Sequence, residues 1–415
     1  MYDPLQERHL AIVCDTLPYP PRSGDNQRLA ELIRVLRAQG WFVHLVLTTL
    51  VDGRSRALCR AQVDALHTYT GKGWRTRSRN GLRRSVRLFD RLGKKLRLPP
   101  AEEIAARILG RSITPMVLDY WQRYPKGLDE IVANFAFRHH WKAVIVEYLW
   151  LYPAAAKLQK GVVRVLDTHD IQHRRVEEFA SRGMTFPLSI SREHEAAIFR
   201  QFDAVIAIQA AEAELIRSLC PELRVLTTGS MGSGDNPITE TTPEGHILYV
   251  GGYNGANIDG LKRFLTFVWP KIRERDTNCR LHICGYIYRA FLGERFENVE
   301  FLGHIENLER EYANAMLIVN PCWIGTGLKI KSVEALARGK PLITTSKGIE
   351  GLHQDVQNAC LVTNNNEEFA NHVLHLLREA PARIDLSKAA RNFANRHLSP
   401  DAVYKELIDF LDEHQ

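Results

Sequence analysis

Long apolar runs are absent from the sequence, and because no stretch of 18 or more apolar residues occurs, no segment predicts a membrane-spanning helix. The seven cysteines contain no CxxC pair, and their scattered positions match neither zinc-ligand nor disulfide spacing. We therefore expect core thiols in a reducing compartment. No G-x-G-x-x-G motif follows the first strand of either half of the chain, which argues against a dinucleotide oxidoreductase.

The start of the chain also lacks the pattern of a signal peptide, because MYDPLQERHLAIV places charged side chains before a short apolar strand. We therefore expect a cytoplasmic protein. The net charge of +7 is uneven: residues 1–240 carry 35 Lys and Arg against 26 Asp and Glu, whereas residues 241–415 carry 20 against 22. Residues 72–97 alone hold eleven basic residues and one acid. The basic character is local, and it does not predict a nucleic-acid partner.

A chain of 415 residues is long for one core, so we expect two domains. Apolar strand patterns alternate with helical patterns, which predicts an α/β fold with mostly parallel sheets. The predicted strands are 9–13, 41–49, 141–150, 162–170, 204–209, 246–252, 279–285, 299–305 and 315–321. The predicted helices include 27–39, 259–275, 366–379 and 401–413.

A segment rich in Gly, Ser, Thr and Pro, TTGSMGSGDNPITETTPEG, interrupts this alternation at 227–245 and has the composition of a linker. We therefore divide the chain into an N-terminal domain (1–230), a linker (231–245) and a C-terminal domain (246–398). A last helix (399–415) follows, for which packing back on the N-terminal domain is one option. Ligands of such sheets bind at the carboxyl ends of the strands, here in the cleft between the domains.

The stretch IGTGLKIKSVEALARGKPLIT (324–344) has an unusual density of glycine and charge for a strand-to-helix turn. Gly325 and Gly327 allow backbone N–H groups to approach a ligand closely, and the helix start favours an anion. Lys329 and Lys331 can add positive charge to a diphosphate. Glu334, about one turn later, can accept hydrogen bonds from a ribose diol. The alternative is an ordinary turn with two solvated lysines.

The segment GTGLKIKSVEALARGKPLITTSKGIEGL resembles the donor-binding segment of GT-B glycosyltransferases in the style of family 4. The likeness extends to VGGYNGANIDGLKRFLTFVWPKI, LHICG, VEFLGHIENLEREYANAMLIVNP and LPYPPRSGDNQRLAELIRVLRAQGWFVHLV. The resemblance implies two Rossmann-like domains that face each other across a cleft. It also implies transfer of a sugar from a nucleotide-linked donor on the C-terminal domain to an acceptor on the N-terminal domain.

Under this resemblance Gly325, Thr326 and Gly327 face the donor, and Glu334 matches the second glutamate of an E-x7-E pattern that binds the donor ribose. The first glutamate of that pattern would fall at Thr326 and is missing. We infer that Lys329 and above all Lys331 supply the positive charge for the donor.

The usual basic pair after the first strand of the C-terminal domain is absent, and that loop instead offers Gly252 and Asn257 as donor contacts. Under the resemblance, the segment that contains His304 and Ile305 lies at a strand end where the family binds the nucleotide base. A partly buried loop histidine is the alternative for His304.

The segment LDTHDIQHRR (166–175) follows a predicted strand at the cleft edge of the N-terminal domain. His169 matches the histidine that the family sets against the donor sugar, where it can donate a hydrogen bond or stabilise developing charge. Asp170 could orient His169 or contact the acceptor. Ordinary loop residues are one alternative, and a metal site formed by His169, Asp170 and His173 is another.

The loop LPYPPRSGDNQR (17–28) carries Gly24 just before a helix, where the resemblance places a glycine loop that borders acceptor and donor. Arg22 or Arg28 could meet an anionic acceptor. The alternative is simple helix capping by Ser23, Asp25 or Asn26.

Residues 81–98 place apolar side chains at helical spacing among arginines and lysines. A basic amphipathic helix can lie on an anionic membrane surface, which would make the protein peripheral on the inner face of the membrane. The alternative is a surface helix that packs on the N-terminal domain.

The sequence therefore predicts a glycosyltransferase that uses a UDP- or GDP-linked sugar and a glycan or lipid-linked acceptor in the synthesis of cell-surface polysaccharide or glycoconjugate. The resemblance implies retention of anomeric configuration, no cofactor and no essential metal. A nucleotide-sugar epimerase of the same fold is one alternative. A non-catalytic relative that binds glycans or membranes is the other.

Overall fold

The computed structural model describes residues 8–414 except 22–23, 50–51, 69–123, 182–187, 189, 233–244, 306 and 326. The basic segment 81–98, Arg22, Thr326 and most of the predicted linker therefore lie outside the described residues. In the part that is described, no helix is both long enough and apolar enough to cross a membrane.

The N-terminal domain is built on a seven-stranded parallel sheet in the order β3-β2-β1-β4-β5-β6-β7. Its strands are β1 (Arg8–Cys14), β2 (Trp41–Leu47), β3 (Ala65–Thr68), β4 (Ala143–Glu147), β5 (Val163–Asp167), β6 (Ala204–Ala207) and β7 (Arg224–Thr227). The order reverses between β1 and β4, and this reversal opens a crevice at the carboxyl ends of those strands.

Helices cover both faces of this sheet. They are α1 (Gly24–Ala38), α2 (Gly53–Gln62), α3 (Leu128–Arg138), α4 (Gln172–Ser181), α5 (Arg192–Phe199) and α6 (Ala210–Leu219), with a 3₁₀ segment at Leu149–Ala155. Alternate residues of β1 point to opposite faces: Ala11 and Val13 join one apolar cluster, and Leu10 and Ile12 join the other. The strand is apolar from Leu10 to Cys14, where both faces are buried.

The C-terminal domain repeats the design with a six-stranded parallel sheet in the order β10-β9-β8-β11-β12-β13. Its strands are β8 (His246–Val250), β9 (Leu281–Cys284), β10 (Val299–Gly303), β11 (Ala315–Asn320), β12 (Leu342–Thr344) and β13 (Leu361–Val362). Its helices are α7 (Gly255–Phe267), α8 (Trp269–Arg275), α9 (Glu309–Asn314), α10 (Ile330–Ala337), α11 (Asn366–Arg378) and α12 (Ala380–His397), with 3₁₀ segments at Tyr286–Phe291, Lys347–Ile349 and Gln354–Asn358.

The last helix, α13 (Pro400–Glu413), returns to the N-terminal domain. Its buried residues Tyr404, Leu407 and Phe410 belong to the same apolar cluster as residues of α1, β1 and β2. The Tyr404 hydroxyl donates to the Arg28 carbonyl at 3.4 Å, and Glu406 accepts from the Thr227 amide at 2.8 Å. The chain therefore crosses between the domains twice.

The predicted α/β class with parallel sheets is confirmed, and all seven cysteines are buried and unpaired. Two element predictions were wrong. The helix predicted at 259–275 is two helices that meet at Val268, where Pro270 occupies the first turn of α8. The other error is at 380–397, where the sequence did not lead us to predict a helix and α12 packs Ala390, Phe393 and Ala394 into the core.

Candidate active site

The two domains face each other through their carboxyl sheet edges, and the turn before α10 lies between them. Gly327 is buried with φ +74°, and a Cβ added there would collide with the Asp170 carboxylate of the N-terminal domain. Gly24, at the start of α1, lies against α10 so closely that an added Cβ would be 2.7 Å from Ile330 Cγ1. The predicted donor and acceptor loops therefore meet in one crevice.

The turn keeps its shape through left-handed glycines and a lysine. Gly325 has φ +105°, a conformation that L side chains rarely adopt. The Lys329 ammonium donates to the carbonyls of Gly325 at 3.1 Å and Gly327 at 2.6 Å, and it lies 3.6 Å from a Glu350 carboxylate oxygen. Lys329 thus stabilises the turn from within.

Lys331 occupies the position next to the loop that follows β8. Its half-buried ammonium donates to Asn257 Oδ1 at 2.5 Å and to the Tyr249 hydroxyl at 3.3 Å, and it lies 4.8 Å from the centre of the Tyr249 ring. Asn257 in turn donates to the Gly252 carbonyl at 2.9 Å. Burial lowers the pKa of Lys331 to about 8. The structure therefore brings together Gly252, Asn257 and Lys331, which were all predicted to contact the donor. The Lys331 ammonium among them is partly desolvated.

Glu334 lies one turn into α10 and is half-buried at the interface. Its carboxylate accepts from the Tyr312 hydroxyl at 3.1 Å, and Gln27 on α1 of the other domain also interacts with it. Burial raises the pKa of Glu334, although Arg338 opposes this. The carboxylate faces the crevice and can accept hydrogen bonds from a polar ligand.

His304 follows β10 at the other side of the sheet edge. The exposed imidazole stacks on the Tyr286 ring, with centroids 4.7 Å apart and planes 8° from parallel, and Arg289 lies over the same tyrosine. Ile305 is half-buried against the apolar cluster beneath the sheet. The predicted base-binding segment therefore presents a flat aromatic surface.

His169 lies at the end of β5, buried and with φ +58°. Its Nε2 lies 2.5 Å from Glu147 Oε2 at the end of the neighbouring strand β4, and its ring stacks on Tyr148 with centroids 4.1 Å apart. Burial alone would lower the pKa of His169, but the carboxylates of Asp167 and Glu147 raise it. Burial also raises the pKa of Glu147. The short separation of the two atoms requires a proton between imidazole and carboxylate.

Two further contacts fix this network. The Tyr148 hydroxyl donates to Asp25 at 2.8 Å, and the Trp150 indole N–H donates to Asp15 at 3.0 Å. Asp25 therefore connects the glycine loop to the histidine.

Arg28 was one of two candidates for an anionic acceptor, and this interpretation is wrong. Its side chain is buried, pairs with Asp167 at 2.6 Å and donates to the carbonyls of Thr228 and Gly229. It stabilises the N-terminal domain instead.

Asp170 does not orient His169, because Glu147 takes that position. Asp170 pairs with Arg175 at 2.7 Å and faces Gly327.

His173 bonds Glu195 at 2.6 Å, so the two histidines of the metal interpretation bind different carboxylates. The ligand atoms of Glu147, Asp167 and His169 lie within 4.8 Å of one another, but Arg28 and the shared proton already compensate the two carboxylates.

Three carboxylates near the crevice were missed by the sequence analysis. Glu147 ends an apolar strand directly beside the strand that ends in Asp167, and this paired pattern was a usable signal. Glu178 on α4 accepts from the Gly325 amide at 3.1 Å. Glu212 on α6 is buried near Asp170, and burial raises its pKa to about 8. No local sequence pattern indicates the last two.

Comparison with known proteins agrees with this geometry. Residues 244–379 match the model of the family described as "Glycosyl transferases group 1". The match covers most of the C-terminal domain, and the arrangement of two facing parallel sheets is the GT-B fold.

The chain is similar over almost its whole length to solved structures at low identity. Sucrose-phosphate synthase from Thermosynechococcus elongatus superposes with a TM-score of 0.65 at 15% identity, covering 98% of this chain and 99% of that one. TarM from S. aureus, in complex with Fondaparinux, alpha-GlcNAc-glycerol and UDP, superposes with a TM-score of 0.67 at 10% identity, covering 98% and 100%.

A curated relative matches a smaller part of the chain. An "Uncharacterized 44.6 kDa protein in cps region" of Klebsiella pneumoniae is 21% identical over 174 residues, which are 39% of this chain and 45% of the relative. The match thus spans less than half the length of that relative.

Proposed function

We propose that the enzyme transfers a sugar from a UDP- or GDP-linked donor to a glycan or lipid-linked acceptor in the synthesis of cell-surface polysaccharide or glycoconjugate. The observation that carries this proposal is the position of the Gly325–Lys331 turn, where Gly327 lies against Asp170, the residue that follows His169 in the other domain. The same turn carries the partly desolvated ammonium of Lys331. Two comparisons support the proposal. TarM was solved in complex with UDP, and the Klebsiella pneumoniae relative is described as a protein in a cps region.

In this mechanism the amides near Gly325 and Gly327 and the Lys331 ammonium neutralise the diphosphate as it leaves. Glu334 accepts hydrogen bonds from the donor ribose, and the surface of His304 and Tyr286 borders the base. His169, held by Glu147, faces the donor sugar and stabilises charge that develops there. We propose retention of configuration, and we propose that fixed protein charges do the work that an essential metal would do.

A thermal-shift screen with UDP, GDP, ADP and their sugars tests the proposal first. We expect stabilisation by one nucleoside diphosphate and its sugars, followed by sugar transfer when acceptor extracts are added. Conversion of the sugar nucleotide without any acceptor would indicate an epimerase. No shift with any nucleotide would contradict the proposal and favour a non-catalytic relative.

We further propose that residues 81–98 attach the enzyme to an anionic membrane surface, on the evidence of their sequence alone. Sedimentation with vesicles that contain anionic lipid should show binding at low salt that is lost at about 0.5 M salt, where the Debye length is only a few ångströms. Absence of binding at low salt, or binding that salt does not change, would contradict membrane attachment without affecting the donor-site proposal.

A further inference from the structure

A cluster of histidines lies in the N-terminal domain on a face of the sheet that the proposed sugar transfer does not use. His44 is in β2, His67 is in the edge strand β3, and His139 directly follows α3. His44 is buried, and the other two are half-buried. Their ligand nitrogens all lie within 4.8 Å of one another.

The arrangement of the rings matches a three-histidine metal site. The ring centroids of His44 and His67 are 5.3 Å apart, those of His44 and His139 are 4.9 Å apart, and those of His67 and His139 are 5.4 Å apart. A tetrahedral ion with metal–nitrogen bonds of about 2.1 Å separates its ligand nitrogens by about 3.4 Å and the imidazole centres by about 5 Å. The rings therefore need only small rotations to bind one ion.

We propose that His44, His67 and His139 bind one Zn²⁺ ion that fastens the edge strand β3 and the end of α3 to the sheet. Imidazole nitrogens select Zn²⁺, Cu²⁺ or Ni²⁺ over Mg²⁺ and Ca²⁺, and three protein ligands leave one coordination position open. This site is separate from the proposed reaction, for which we propose no essential metal.

The surroundings of the cluster are apolar and aromatic. The aromatic rings of Phe135 and Trp141 contact the cluster and limit access of water.

A fourth histidine orients the first ligand. His44 Nε2 lies 2.9 Å from His9 Nδ1, so it can donate its proton there and leave His44 Nδ1 free to coordinate. His44 Nδ1 now lies 3.0 Å from His67 Nε2, a contact that requires one proton between them. A metal ion takes the place of that proton. His67 then carries its proton on Nδ1, so binding releases no net proton.

Calorimetric titration of the full-length, tag-free and chelator-stripped protein with ZnCl₂ tests the site, with MgCl₂ as the comparison. We expect one Zn²⁺ per chain, a higher melting temperature with Zn²⁺, and no response to Mg²⁺. The double variant His67→Gln, His139→Gln should bind Zn²⁺ at least tenfold more weakly, since loss of metal ligands or their supports costs about that much or more.

The matched control is the double variant His246→Gln, His282→Gln, which alters a second histidine pair that stacks at 3.7 Å near Glu311 in the other domain. It should keep the wild-type affinity. X-ray absorption of the Zn²⁺-loaded wild type, which needs no variant to fold, should show three imidazole ligands. No stoichiometric binding, binding that survives in the first variant, or loss in the control would overturn the proposal.

Discussion

At the scale of single residues, the carboxylate beside His169 decides which nitrogen of that histidine is available. Glu147 holds Nε2 at 2.5 Å, so Nδ1 is the nitrogen left for other contacts. Glu147→Gln keeps the shape but removes the charge that raises the pKa of His169. We expect the pKa of His169 to fall. We also expect sugar transfer to slow about 10- to 100-fold, because a small misplacement of a group at the reaction centre lowers the rate by about that factor. NMR titration of the imidazole and pH profiles of transfer measure both.

A purely structural Glu147 would give a different result. Glu147→Gln would then lower the melting temperature while the rate of transfer per folded molecule and its pH profile stayed unchanged. Glu222→Gln, which removes an exposed carboxylate of the same domain that pairs with Arg200, is the matched control and should alter neither quantity.

Lys331 should make donor affinity depend on pH. Since its pKa is lowered to about 8, the ammonium is lost as the pH rises through that value in the free protein. The unfolded chain, with a lysine pKa of 10.5, binds more protons between these values, so the stability contribution of Lys331 rises with pH in that window. UDP or GDP affinity should therefore fall between about pH 7 and pH 9 while stability does not.

Arginine stays charged throughout this range, so Lys331→Arg should remove the pH dependence. Lys331→Ala and Glu334→Ala should each weaken transfer by about tenfold or more, on the order of 1.5–3 kcal/mol, with little loss of melting temperature. Unchanged transfer in both alanine variants would contradict the donor site. The same pH dependence in Lys331→Arg would show that another group titrates.

The positions of these residues could be predicted only in part from the sequence, and their roles stay predictions. Gly325, Gly327, Lys331 and Glu334 stand in one short segment, so their proximity follows from local geometry, and Gly327 lies against the N-terminal domain. Glu147 and His169 meet only because β4 and β5 are neighbours in register. Arg28 was misjudged because its partner, Asp167, lies 139 residues away.

At the scale of elements, the turn between β11 and α10 can need Gly327 for its left-handed conformation or for its close contact with Asp170. Two glycine variants distinguish these requirements. Gly327→Ala introduces left-handed strain of roughly 1–2 kcal/mol and also a collision with Asp170. Gly127 has nearly the same φ, +76° against +74°, but a Cβ there meets nothing within 4 Å. We expect similar strain from Gly127→Ala with normal transfer, whereas Gly327→Ala should lose transfer as well.

Chemical denaturation and transfer assays on both variants separate these effects. If Gly127→Ala lowers transfer as much as Gly327→Ala does, general destabilisation explains the loss. If Gly327→Ala transfers normally, the turn does not need close contact with the N-terminal domain.

Elements with a strong local signal were predicted well, and those that depend on distant packing were not. The strands β1, β2 and β8 are mostly apolar, and Gly40 marks the end of α1. The helix α12 was missed because its polar and apolar residues are poorly separated, and α10 and α11 pack against it to complete its environment. The break at Val268 is an exception, because Pro270 in the first turn of α8 is a local signal that the prediction of one helix did not use.

At the scale of the whole molecule, α13 joins the C-terminal end of the chain to the N-terminal core. Leu407 is fully buried against that core, so Leu407→Ala should cost about 2–5 kcal/mol of unfolding free energy. Lys405→Ala, on the exposed face of the same helix, should cost little. Urea unfolding measures both, and equal effects would contradict packing as the cause.

The contact between Glu178 and Gly325 sets a condition for donor binding, because the carboxylate already accepts from an amide that we assign to the diphosphate. Two anions cannot share that amide without repulsion, so binding of the donor must displace the Glu178 carboxylate. Glu178→Gln should therefore bind UDP or GDP about tenfold more tightly at low salt, with a smaller gain at high salt. Glu177→Gln removes the same charge from an exposed neighbour on α4 and should change affinity little. Calorimetry at two salt concentrations compares the variants, and unchanged or weaker binding in Glu178→Gln would mean that the contact does not compete with the donor.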